Sequence, residues 1–318
     1  ISGPPMTIDL TGWLRQAARG IMQARLDQGG DRPLVDDVAV SRLLAAFAPV
    51  AFRQRVSLGP GLVATFFPAG HIAGAAMIGL ESDEGRVLIT GDISVSPQRT
   101  VDGARPPAFA PDVVIIESTY GGRLHANRAA EERRLVATIN EVIATGGKVL
   151  IPAFALGRAQ EILLTLAEFQ RRAELPPIPI WADGMVRAVC RAYTSFPEAL
   201  PVALQARDAQ FFNEETIRPI ERSAQRNELL WQPEPLVIVA SSGMLAGGPS
   251  LHYARGLARQ PQHALLLTGY QDEESPGARL PEIAPRGHGL LQIAQARLAA
   301  RLRLATPSPS PHHEEADL

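Results

Sequence analysis

The chain has 318 residues, 46% of them hydrophobic and 20% charged, with a formal net charge of −2. That length fits one large domain or two ordinary ones, and the composition excludes a disordered chain and a global basic field for nucleic acid. The single cysteine, Cys190, excludes a disulfide framework, and no apolar run approaches the roughly 20 residues that a membrane span needs. The first 50 residues read as mainly helical. Leu10 to Leu26 has an amphipathic period, and so does Asp36 to Phe47, with Asp36 or Asp37 as cap. From Leu62 the period changes, and Leu62–Phe67, Ala75–Leu80, Arg86–Thr90 and Val113–Ile116 are predicted strands. Ala130 to Ala144 is a predicted helix that Gly146-Gly147 would end. A strand–helix alternation follows. Its strands are Lys148–Pro152, Ile178–Trp181, Leu236–Ala240 and Ala264–Thr268, and its helices Gly157–Phe169, Val186–Ala192 and Asn213–Ala224. Such alternation implies a parallel, doubly wound sheet. Residues 289–304 are predicted as a last helix, and 305–318 as a low-complexity, disordered tail.

Two features of composition bear on partners. Aromatic residues make up only 5%, which argues against an extensive base-stacking surface. Of the 31 basic residues only Lys148 is lysine; arginine binds phosphate bidentately and lysine does not, but a GC-rich genome is the plainer and favoured explanation. Ile1 rather than Met stands first, which reads as the start of a fragment, and no signal peptide is visible. The expected compartment is the cytoplasm.

Three successive strands share one design. Leu62–Phe67 runs into Pro68-Ala69-Gly70-His71, Arg86–Thr90 into Gly91-Asp92, and Val113–Ile116 into Glu117-Ser118-Thr119-Tyr120-Gly121. Ligands of layered α/β proteins bind at the carboxyl ends of strands. A histidine and two carboxylates brought to one such edge would suit Zn²⁺ or Mn²⁺. The same acids also fit a plainer role as loop caps.

The runs PAGHIAGAAM (68–77), LITGDIS (88–94), IIESTYG (115–121), KVLIPAFALGRAQEIL (148–163), VIVASSGMLAGGPSLHY (237–253) and LLLTGYQ (265–271) stand in one order. Together they resemble the β-CASP branch of the metallo-β-lactamase superfamily, across roughly residues 60–280. The similarity is to the nuclease subunit of the pre-mRNA 3′-end cleavage factor and its prokaryotic counterparts. The resemblance implies an α/β fold: an αββα metallo-β-lactamase sandwich, partial here, with an inserted α/β β-CASP cap. It divides the chain into 1–120 as the partial metallo-β-lactamase domain, 121–280 as the cap, 281–304 as a helical segment and 305–318 as the tail. It implies His71 as a metal ligand, Asp92 as the carboxylate bridging two Zn²⁺ ions (Mn²⁺ as the other candidate), and Glu117 as an orienting acid. Asp92 and Glu117 are thus the implied catalytic pair, RNA is the implied partner, and a homodimer stays open. Two metals would supply hydroxide and neutralise phosphate oxygens.

The departures from that pattern are large. The family's His-x-His-x-Asp-His motif is absent from all 318 residues, as is a further histidine of the second motif. The downstream Ser-Ala-His-Ala-Asp-like segment is missing too, and His288, in RGHGLL, does not match the final ligand. Two protein ligands cannot hold a dinuclear site. Either the natural protein is longer or this version is degenerate, and the chain alone is expected to be inactive.

Two segments are candidates for holding phosphate. Phe154 to Arg158 follows a strand and opens a helix, so Gly157 and Arg158 could bind an anion through backbone N–H groups and a guanidinium fork. Ser241-Ser242-Gly243 repeats the arrangement. Either could equally be an ordinary strand–helix turn. No G-x-G-x-x-G or Walker A loop is present, so no nucleotide cofactor is expected. His252 reads as a helix-surface residue, His125 as a loop residue, and His263 as exposed before a strand. His312 and His313 read as incidental to the tail, Asp183 as a helix cap, and Cys190 as a buried apolar residue.

The expected function is a metal-dependent hydrolase of RNA phosphodiester bonds. The alternative is a catalytically inactive paralogue acting as an RNA-binding or scaffold subunit. A hydrolase of small esters or lactams ranks third, because such enzymes need no cap.

Overall fold

A computed structural model describes residues 2–3, 37–122, 127–205, 211–212, 216–258, 260–280, 289–293, 296–300 and 303–304. The predicted helix over Leu10–Leu26 and the tail 305–318 lie outside these residues. The chain divides into two compact units, Ile1–Thr119 with Arg187–Phe211, and Tyr120–Val186 with Phe212–Leu318.

In the first unit, β1 (Ser2–Gly3) pairs in parallel with β2 (Ala48–Pro49), and the helix Asp37–Ala45 precedes β2. The main sheet has five strands in sequence order: β3 (Arg55–Gly59), β4 (Leu62–Pro68), β5 (Ala76–Ser82), β6 (Gly85–Ile89) and β7 (Val113–Ile115). The first four are antiparallel neighbours, and β7 joins β6 in parallel. Phe67, Ala69, Met77, Leu88 and Ala104 form the buried cluster under this sheet. Phe109 tilts against Phe67 at 5.8 Å between ring centroids. β7 behaves differently: Val113, Val114, Ile115 and Ile116 are 51–63% exposed, and among the described residues β7 has no neighbour on its outer side.

The second unit is built on a parallel sheet. Its strands are β8 (Val149–Pro152), β9 (Ile180–Asp183), β10 (Ile217–Pro219), β11 (Val237–Ala240) and β12 (Ala264–Leu265), with β13 (Gly289–Ile293), β14 (Ala296–Ala300) and β15 (Arg303–Leu304) following. Six of them lie in the order β10-β9-β11-β8-β12-β15, every neighbour parallel. β8 and β11 are buried at every position, as continuous apolar runs covered on both faces should be. The helices Arg128–Ala144, Arg158–Arg171, Gln225–Trp231 and Gly248–Leu257 punctuate the strands. Asn127 caps the first of these, its side chain accepting from the Ala130 N–H. Among the described residues no helix is long and apolar enough to cross a membrane.

The alternation predicted from sequence is present, with three corrections. The expected helix Asn213–Ala224 is interrupted: β10 occupies Ile217–Pro219 and the helix starts only at Gln225. Pro219 cannot serve a helix interior, and Ile217 and Ile220 bury their side chains instead. The expected helix over 289–304 is replaced by the antiparallel pair β13 and β14, followed by β15. Arg301-Leu302-Arg303-Leu304 alternates with a period of two, which suits strand rather than helix. His263 is not exposed but 6% accessible, its Nδ1 accepting from the Lys148 N–H at 3.0 Å. Burial holds His263 below the usual histidine range, so it stays neutral as an acceptor.

Two polar groups under the helices have clear roles. Lys148, the sole lysine, is buried and donates from Nζ to the carbonyls of Leu229, Leu230 and Gln232, completing the carboxyl end of the helix Gln225–Trp231. Glu168 accepts from Arg171 and Arg172, and chiefly the Arg171 bond lowers its carboxyl to about 2. The depressed pKa sets the sign: the stabilisation is full above the ordinary value of 4.5 and is lost as pH falls toward about 2. Both arginines are half-exposed, so solvent screening limits the effect to about 1 kcal/mol. Glu168→Gln is therefore expected to lower stability by about 1 kcal/mol at neutral pH and to flatten its fall in acid, read as urea midpoints against pH.

Candidate functional site

The topology of the first unit brings three strand ends together. β4 and β6 are each antiparallel to β5 and so run the same way, and β7 is parallel to β6. The carboxyl ends of β4, β6 and β7 therefore share one edge of the sheet. His71 follows β4, Asp92 follows β6 and Glu117 follows β7. His71 Nε2 lies 3.7 Å from Asp92 Oδ2, and both side chains are open to solvent, at 44% and 68%.

The loop at His71 is held by hydrogen bonds to backbone carbonyls, two from backbone N–H groups and one from a side-chain amide. Ser94 N–H donates to Ala69 O at 3.0 Å, Ala104 N–H to Ser94 O at 2.7 Å, and Gln98 Nε2 to His71 O at 2.7 Å. Gly70, at φ +69°, is the residue that permits this approach. A Cβ there would stand 2.3 Å from both Ala104 N and Ser94 O.

Glu117 is anchored differently. Its N–H donates to Thr90 Oγ1, and its Oε2 accepts from the Thr119 N–H at 2.7 Å. The Thr119 backbone N–H and hydroxyl hold this carboxyl below the usual range, with smaller help from the Ile93 N–H and His71. It is an ionised acid tied into its own loop. The implied dinuclear metal site can be tested on these residues. Among the described residues no group of three or more His, Cys, Asp or Glu side chains converges, and His71 with Asp92 makes two donors. Even one catalytic zinc takes three protein ligands. The residues present do not fit the metal pair, and no chemical step follows from them through it.

The phosphate candidates lie in the second unit, at the carboxyl ends of the neighbouring strands β8 and β11. Gly157, at φ +80°, precedes the helix that Arg158 opens, and Arg158 is exposed. Two of the loop's backbone donors are engaged: Arg158 N–H donates to Leu156 O and Ala159 N–H to Phe154 O, both at 3.1 Å. The Arg158 guanidinium is the charged group that this loop offers to an anion. Ser241 and Ser242 are half-buried and tied internally. Ser241 Oγ accepts from the Met185 N–H at 3.2 Å, and the Ser250 hydroxyl donates to Ser242 O at 2.7 Å. Gly243 faces Phe154, where a Cβ would stand 2.8 Å from Phe154 N.

Several side chains carry roles that sequence did not show. Asp183 is fully buried rather than a simple helix cap. It accepts from Arg226 Nε at 2.7 Å, Arg226 Nη2 at 3.1 Å, the Tyr253 hydroxyl at 2.9 Å and the Gly184 N–H at 2.6 Å. Tyr120 and Tyr270 meet edge to face at 6.5 Å. A Cβ on Gly269 would lie 3.5 Å from the Phe154 ring. A Gly-aromatic pair directly after an apolar strand, as in Gly269-Tyr270, was the available signal. His252 sits on the surface of its helix with Nε2 3.0 Å from Asn227 Oδ1, and Cys190 is buried. His125, His288, His312 and His313 lie outside the described residues.

Comparison with known proteins adds a family. The Beta-Casp domain family matches residues 159–280. The chain is 33% identical over 287 residues to the transcription termination factor FttA of Pyrococcus horikoshii, covering 87% of this chain and 43% of that protein. It is 41% identical over 220 residues to an RNase J-like protein of Methanocaldococcus jannaschii, covering 68% and 51%. With FttA of Methanosarcina mazei the identity is 31% over 249 residues, covering 76% and 39%. The chain thus spans about half or less of the length of these relatives.

Proposed function

The chain belongs to the β-CASP branch of the metallo-β-lactamase superfamily, and from that premise we propose that it binds RNA as part of a ribonuclease-type site. The observation that carries the reading is the exposed Arg158 at the helix start, beside the half-buried Ser241–Gly243 loop on the neighbouring strand end. A guanidinium fork matches phosphate oxygens bidentately. In this reading His71 and Asp92 would supply two of the donors that a Zn²⁺ or Mn²⁺ site needs and that these residues alone do not complete, and Glu117, held ionised by Thr119, stands on the edge they share. The remaining donors are not among the described residues, so the 318-residue chain is expected to bind RNA without cutting it.

The alternative, an RNA-binding or scaffold subunit without catalysis, is favoured by the same lack of a third donor among the described residues. One experiment addresses both: binding and cleavage of a labelled RNA by the 318-residue chain, with Zn²⁺ or Mn²⁺ added, across a salt series. The expected result is salt-sensitive binding and no turnover. Arg158→Ala should weaken binding and reduce the salt slope by about one counterion. No binding by the parent chain would overturn the RNA reading. Turnover that survives Asp92→Ala would overturn the assignment of His71 and Asp92 as donors.

A further inference from the structure

Four aromatic side chains among the described residues are exposed: Tyr120, Phe154, Trp231 and Tyr270. Three of the four gather in one place in the second unit. Phe154 follows β8 and Tyr270 follows β12, and these strands are neighbours. Tyr120 meets Tyr270 edge to face at 6.5 Å between centroids and 85° between planes. A Cβ on Gly269 would stand 3.5 Å from the Phe154 ring, and one on Gly243 would stand 3.2 Å from the same ring. Arg158 opens the helix four residues after Phe154, and the Ala159 N–H beside it donates to Phe154 O at 3.1 Å. Tyr120, Phe154 and Tyr270 stay 40%, 36% and 45% exposed.

Large rings usually bury their faces, and such rings gathered at a surface mark a ligand site. An edge-to-face pair leaves ring faces open, and a cation beside it supplies a phosphate partner. Every nucleobase has a π-face that can stack on such rings, provided it is not already stacked in a duplex. We infer that Tyr120, Phe154 and Tyr270 form a stacking platform for unpaired nucleobases, with Arg158 holding the adjoining phosphate. The inference rests on the RNA reading above and adds to it a base-binding site.

The probe is a pair of labelled single strands of equal length, about 12 nucleotides, one an oligoadenylate and one abasic. Both carry the phosphates, and only the first carries bases. Fluorescence anisotropy with the 318-residue chain is expected to show the oligoadenylate bound about tenfold or more tightly than the abasic strand. Tyr270→Ala and Phe154→Leu should shrink that gap severalfold, whereas Tyr270→Phe, which keeps the ring, should preserve it. Thermal melts of each variant verify folding, and Phe154→Leu retains an apolar side chain against Gly243 and Gly269. Equal affinity of the parent chain for the two strands overturns the platform while the RNA reading stands. A gap unchanged in both Tyr270→Ala and Phe154→Leu overturns the assignment to these residues. Binding of neither strand overturns the RNA reading, and the platform with it.

Discussion

Arg226→Ala is expected to destabilise the unit Tyr120–Val186 with Phe212–Leu318 by about 3–5 kcal/mol. Asp183 is fully buried, and Arg226 gives it two of its four hydrogen bonds and its counter-charge. Without the guanidinium, the carboxylate keeps only the Tyr253 hydroxyl and the Gly184 N–H. Neither neutralises it. Burial, and then the neighbouring Asp183, push the Tyr253 hydroxyl far above its ordinary range, so that residue remains a donor at any usual pH. The cost is measured as a fall in the urea midpoint followed by far-UV circular dichroism. The double variant Asp183→Asn with Arg226→Met should recover much of the loss, because no uncompensated charge is then left inside. A loss under about 1 kcal/mol for Arg226→Ala would mean that the pair behaves as a solvent-screened one and is not buried in solution.

The second large effect is expected at Gly70. Alanine there must adopt φ +69°, which costs about 1–2 kcal/mol by itself. Its Cβ would also stand 2.3 Å from two backbone atoms, Ala104 N and Ser94 O, neither of which can swing aside. Forced overpacking adds about 1–3 kcal/mol, so the total is about 2–5 kcal/mol. Gly91→Ala is the matched control. Gly91 also has positive φ, +55°, but its Cβ would meet only Ala76 O at 3.8 Å. Its cost should stay near 1–2 kcal/mol, the backbone share alone. Because Gly70 precedes His71, Gly70→Ala should also alter the His71 ring resonance in proton NMR, whereas Gly91→Ala, one residue before Asp92, tests whether the carboxylate side alone moves it. Similar stability losses for the two variants would show that the close approach at Gly70 is not present in solution.

The strands that position His71, Asp92 and Glu117 were legible because their apolar runs end abruptly at glycine or an acid. The buried strands β8 and β11 were legible for the related reason that strands covered on both faces need continuous apolar sequence. β3 was not, because Arg55-Val56-Ser57-Leu58-Gly59 offers only two apolar residues and borders a turn. The last segment misled for a different reason: Leu and Ala spaced through 289–304 satisfy helical and strand periods alike, and pairing decided between them. Asp183 and Arg226 are 43 residues apart, and no local pattern announces an ion pair across that separation. His263 was misplaced because its partner, the Lys148 N–H, is 115 residues away in the sequence. The low aromatic content argued against an extensive stacking surface, but a count says nothing of where the few exposed rings collect.

Among the described residues the outer flank of β7 is open, and this has a consequence for handling the protein. Val113-Val114-Ile115-Ile116 is an uncharged, β-branched run on a strand edge, a template on which like segments of other molecules can add. Asp112 and Glu117 bracket it and act as electrostatic gatekeepers against that addition. Glu117 thus answers to colloidal behaviour as well as to the chemistry of the edge it stands on. A Glu117→Gln variant removes a gatekeeper in the same stroke as an acid, and its RNA binding is interpretable only beside its light scattering.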